Sequence, residues 1–161
     1  MAKSFETLLF DFGGTLDADG VAWKERFYDL YQAEGLDMSA NAFAAVFFAA
    51  DDALVGGLPP STGLSETIYA LAANLEVEFA RRWGAETGGA ATVPDQADSE
   101  RGRRIALAFL SQAAAAFTRN RPVLEALRER YRLGIVSNFY GNLEAVCQTA
   151  GLAPLDRKSV V

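Results

Sequence analysis

Two short apolar runs constrain this chain most: ETLLFDF at residues 6–12 and LGIV at 133–136. Each stops abruptly, the first at Gly13-Gly14 and the second at Ser137-Asn138. Apolar runs this short, closed by glycine or small polar residues, predict buried strands rather than helices. Everything between them has helical period. Trp23, Phe27, Leu30 and Tyr31 predict a helix to residue 34, stopped by Gly35. Ser39 is placed to cap a second helix carrying Phe43, Val46, Phe47 and Leu54, and Gly56-Gly57-Leu58-Pro59-Pro60 forms a turn. A third helix is predicted over 64–83, with Ile68, Leu71, Leu75 and Phe79 on one face. Residues 84–98 are linker-like in composition. Ser99 then opens a helix to about residue 118, and Pro122 suits the first turn of another, where its missing N–H costs nothing. A last helix is predicted over 141–150, ending at Gly151.

Strands separated by helices predict an α/β protein with a parallel sheet. In such sheets ligands sit beyond the carboxyl ends of the strands. Asp11 and Ser137-Asn138 occupy those ends, so they are expected to face one crevice despite their separation in sequence.

Composition narrows the class. The chain has 161 residues, 50% hydrophobic and 22% charged, which suits a soluble globular protein of about one domain. Its longest apolar stretch, AFAAVFFAA at 42–50, is far short of the roughly 18 residues that span a bilayer. The first residues do not resemble a secretory signal, and the single Cys147 allows no internal disulfide and fits a reducing compartment. A cytoplasmic protein without a membrane partner is expected. The absence of histidine removes Ser/His/Asp and Cys/His catalysis and His-ligated zinc. Residues 1–100 carry five Lys/Arg against seventeen Asp/Glu, a net of −12, whereas residues 101–161 carry ten against four, a net of +6. A basic nucleic-acid face is one reading of the second half. The arginines lie on amphipathic helices without interleaved aromatics, so solvated helix faces and no nucleic-acid partner are expected.

The chemistry must then run on carboxylates, hydroxyls, Lys and backbone groups. A carboxylate at a strand's carboxyl end, followed by glycines, suits a covalent nucleophile, because the glycines permit a sharp turn and bring backbone N–H groups towards an anion. Thr15 adds a hydroxyl, and Ser137-Asn138 adds a hydroxyl and an amide from the second strand. Together they suit phosphoryl transfer onto Asp11.

The run Leu8-Leu9-Phe10-Asp11-Phe12-Gly13-Gly14-Thr15-Leu16 resembles the first motif of the haloacid dehalogenase (HAD) superfamily, hhhh-D-x-D-x-T, apart from Gly13. Residues 133–138 resemble the second, a hydrophobic strand ending in Ser or Thr. The resemblance implies a partial HAD-like (Rossmannoid) parallel-sheet core from residues 1–16 and 116–161, with a mainly helical cap at 17–115. It implies hydrolysis of a small phosphorylated metabolite through an aspartyl intermediate. Asp11 would be nucleophile and metal ligand, the Gly13 carbonyl a second ligand to Mg2+, and Gly14, Thr15, Ser137 and Asn138 phosphate binders. The family's usual general acid stands at residue 13, where this chain has glycine; such an acid is typically worth about a hundredfold to ten-thousandfold. Asp17 and Asp19 are expected to be solvated residues that begin the cap linker. The family's third motif, a Lys, and its fourth, an acidic pair, have no clear counterpart: Lys158 and Asp156 read as tail residues, and a C-terminally incomplete chain is expected. A catalytically inactive or truncated HAD-like protein, its cap serving as an interaction module, is the alternative.

Overall fold

The computed structural model describes residues 6–83 and 99–152. The predicted 84–98 linker, Asp156 and Lys158 lie outside them. Strand β1 (Thr7–Phe10) is followed by a tight turn at 12–16 and by helices α1 (Trp23–Ala33), α2 (Ala40–Asp52), α3 (Leu64–Trp83) and α4 (Glu100–Arg128). Strand β2 (Arg132–Ile135) and helix α5 (Leu143–Thr149) complete the order. The protein is thus mostly helical with a small parallel sheet. β1 and β2 pair from Thr7↔Arg132 to Phe10↔Ile135, and the Val136 N–H donates to the Phe10 carbonyl at 2.9 Å. Because the strands run parallel and end in register, their carboxyl ends emerge side by side.

Local signals set the helix boundaries. Ser39 Oγ accepts the Ala42 N–H at 3.3 Å, an N-cap that supplies one of the helix's orphan donors. Gly35, at φ 87°, lets the chain leave α1 in the left-handed conformation. In the middle layers α3 packs between α2 and α4, and α1 lies on α4. Phe27, Tyr31, Phe43, Phe47, Phe79 and Phe109 interlock there, with Phe27 stacked on Phe109 at 4.7 Å between ring centroids. The same apolar cluster continues through Phe12 and Leu16 of the turn to Leu133 and Ile135 of β2. The turn after β1 is therefore anchored in the core at both ends.

Three expectations need correction. The helix opened by Ser99 does not end near residue 118: α4 runs through Pro122 to Arg128, and the expected 115/116 boundary falls inside it. Pro122 has no N–H to give the Thr118 carbonyl. Phe117 and Leu124, buried on either side of it, hold both halves of the helix against the core. One missing hydrogen bond does not outweigh that packing. Second, the described arginines of the C-terminal half are exposed as expected, all but the half-buried Arg101, yet several also carry ion pairs. Arg101, Arg104 and Arg119 pair with Glu76, Glu34 and Asp19, so α4 brings positive charge to acids of the N-terminal half. Arg101 also lies over the Tyr31 and Phe79 rings, at 5.3 and 5.4 Å. Third, Asp17 is buried.

Candidate active site

Asp17 is 0% exposed and accepts three N–H donors: Gly14 at 2.7 Å on Oδ1, and Trp23 Nε1 at 2.6 Å and Arg26 Nη1 at 2.8 Å on Oδ2. Arg26 is only 6% exposed. Its Nη2 donates to the Phe109 carbonyl at 3.0 Å, and its guanidinium stacks on the Phe109 ring at 3.6 Å. Burial pushes the Asp17 carboxyl above its ordinary range; Arg26 and the three hydrogen bonds pull it back. Asp17 is thus the internal post around which the turn is built. Asp19, by contrast, is solvent-exposed, as expected, and meets Arg119 at the surface.

That post decides what the turn offers a ligand. Gly13 is in an ordinary conformation (φ −69°, ψ 118°), whereas Gly14 is left-handed at φ 83°. A Cβ at Gly14 would lie 3.2 Å from Ala22 Cα and from the Val21 carbonyl oxygen, so glycine is required there twice over. The Gly14 N–H, expected to bind phosphate, already donates to Asp17.

Beyond the strand ends lies an open cleft of about 550 Å³. Asp11, Gly13, Ser137 and Asn138 form its sheet side. Gly14 and Thr15 do not line it: Gly14 is buried and Thr15 is exposed elsewhere. Ser137 Oγ donates to Asp11 Oδ1 at 2.8 Å, joining residues 126 positions apart. The sequence-predicted pair is therefore in direct contact, with Asn138 beside it in the cleft.

Sequence reasoning missed the rest of the lining. Trp23, Lys24 and Glu25 contribute from α1, Phe48, Asp51 and Asp52 from α2, and Phe139 and Tyr140 follow Asn138. The Tyr140 hydroxyl donates to Asp51 Oδ1, bridging the loop after β2 to the end of α2. Burial raises the Asp51 carboxyl above its ordinary range, and the Tyr140 hydrogen bond opposes the shift. The Tyr140 hydroxyl is itself raised by burial and by that carboxylate. A signal was present. Asp51-Asp52 end a helix that is otherwise apolar, at the pole where the helix dipole disfavours negative charge.

Trp23 braces this arrangement. Its indole meets Phe139 edge-on at 5.6 Å and lies 6.5 Å from the Tyr140 ring, while its N–H holds Asp17. A Cβ built on Gly13 would touch the indole at an ordinary 3.6 Å, so the space of the absent residue-13 side chain adjoins Trp23.

Among the described residues no group of three or more Asp, Glu, Cys or His side chains is clustered to hold a metal ion. The Asp11 carboxylate and the Gly13 carbonyl would supply two of the roughly six oxygens that Mg2+ takes, with water and substrate phosphate supplying the others. No helix is long and apolar enough to cross a membrane among the described residues. No protein-family model, curated protein or solved structure matches this chain, so its chemistry rests on its own geometry.

Proposed function

We propose that this chain is a HAD-like hydrolase that moves the phosphoryl group of a small phosphorylated metabolite onto Asp11 and then to water. The observation that carries this reading is the Ser137–Asp11 hydrogen bond at the paired strand ends, opening into one cleft. The Asp11 carboxylate supplies the attacking oxygen. Ser137 orients it through Oδ1, leaving Oδ2 for the bond to phosphorus. The Asn138 side chain, exposed in the cleft, is a donor for the non-bridging oxygens. Gly13 leaves the first turn without an acid, which favours substrates whose leaving group departs readily, such as p-nitrophenyl or acyl phosphates.

Turnover of p-nitrophenyl phosphate, assayed with and without added magnesium, tests this. Asp11→Asn abolishes it, and rapid acid quench of the parent protein yields a phosphoryl adduct on the peptide containing Asp11. Turnover that survives Asp11→Asn would refute the assignment. A second reading, an inactive HAD-like protein whose helical cap is an interaction module, draws on exposed apolar residues of the cap: Val55 is 67% exposed and Leu107 57%. It predicts no turnover of phosphates, phosphonates or haloacids, and dye binding to the native protein.

A further inference from the structure

We propose that Asp51 is the proton donor and acceptor of this site, filling from the helical side the role that Gly13 leaves empty; the inference rests on the aspartyl-transfer reading. Asp51 and Asp11 line the same cleft, Asp51 from α2 and Asp11 from the end of β1. Asp51 is also tethered to the nucleophile end. Tyr140 holds its Oδ1, and Tyr140 lies three residues after Ser137, which holds Asp11. Three residues of chain span at most about 11 Å. The tether is stiff, because Phe139 and Tyr140 pack on each other at 5.0 Å and both pack on Trp23.

With Oδ1 committed to Tyr140, Oδ2 is the atom left for a proton and a substrate. The other acids of this cleft, Glu25 and Asp52, are exposed, and Glu25 is paired with Lys24 at 3.1 Å. Asp51 stands in partial burial at the negative pole of α2, and both conditions favour its protonated form. The charged and titratable groups that face it are Tyr140 and Asp52, with Lys24, Glu25 and Asp11 around the cleft. In the first step an Asp11 oxygen bonds to phosphorus, the bond from phosphorus to the leaving oxygen breaks, and that oxygen takes the Asp51 proton to leave as an alcohol. In the second step water attacks the aspartyl phosphate, its proton passes to Asp51, and the bond from phosphorus to Asp11 breaks to release phosphate.

Leaving-group dependence tests this on the full chain, with p-nitrophenyl phosphate as the good leaving group and phenyl phosphate as the poor one. Asp51→Asn is expected to lower kcat/KM for phenyl phosphate by about a hundredfold to ten-thousandfold and to cost p-nitrophenyl phosphate far less. It also removes the alkaline limb of the kcat/KM profile for phenyl phosphate. Tyr140→Phe keeps that limb but moves it to higher pH, because the lost hydrogen bond favoured the carboxylate. Gly13→Asp restores phenyl phosphate turnover in the Asp51→Asn background. Equal losses on both substrates with an unchanged pH profile would overturn the role of Asp51 while leaving the Asp11 reading intact. Absence of any Asp11-dependent turnover in the parent protein would overturn both.

Discussion

Replacing Asp17 with Asn keeps its size and removes its charge. In the native protein the carboxylate accepts from Gly14, Trp23 and Arg26, all within 2.8 Å. An amide offers one acceptor oxygen and turns an NH2 group towards at least one of those donors. Arg26, 6% exposed, is left with an uncompensated charge. Breaking a buried ion pair by removing one partner costs about 3–5 kcal/mol, which lowers Tm by roughly 6–20 °C for a domain of this size. Arg26→Met is expected to cost less, because the remaining carboxyl, already raised by burial, escapes its isolation by taking a proton. That cost shrinks as pH falls. The double variant is expected to be more stable than the sum of the two single losses, by a coupling of about 0.5–3 kcal/mol. Urea unfolding monitored by far-UV circular dichroism measures all three. An Asp17→Asn loss below about 0.5 kcal/mol, the range of solvated surface substitutions, would refute the buried pair and restore the solvated linker that the sequence suggests.

Gly14→Ala and Gly20→Ala share a left-handed backbone, at φ 83° and 86°, but only the first meets neighbours, at 3.2 Å. Urea unfolding should show a loss of about 1–3 kcal/mol at residue 14 and about 1 kcal/mol at residue 20. Equal losses would contradict the close approach of Gly14 to Val21 and Ala22. Pro122→Ala, at an exposed position inside α4, returns an N–H to the helix and should stabilise the protein by about 1–3 kcal/mol in the same assay. Asp51 supplies a pH dependence. Its folded carboxyl titrates above the ordinary 3.8, so the folded state holds the proton longer, and stability falls as pH rises from about 3.8 through the raised value. Stability measured across that window should fall less steeply in Asp51→Asn.

What was legible in the sequence is what local chemistry dictates. The Ser39 cap, the Gly35 stop and the two short strands each declare themselves within a few residues, although β1, expected to be buried, leaves Leu9 65% exposed. The meeting of Asp11 with Ser137 followed from one general rule about strand ends. The illegible parts are set by partners far along the chain. Asp17 looks like any linker carboxylate until Arg26, itself seated on Phe109 some 83 residues away, encloses it. Pro122 follows a local preference that long-range packing overrides. Asp51 gains its meaning from Tyr140, 89 positions later, and only its place at the wrong pole of a helix hinted at that.

The continuity of α4 has a mechanical consequence. At 29 residues it is a rod of about 43 Å, reaching from Arg101 and Gly102 against α3 to the residues that lead into β2. The helical part is thus joined to the sheet by a short segment on one side and by an unbroken beam on the other. Two slack linkers would let it swing like a door. A continuous helix resists such swinging, and it is least stiff at Pro122, where one rung of hydrogen bonding is missing. Pro122→Ala restores that rung and stiffens the helix at a position outside the cleft lining.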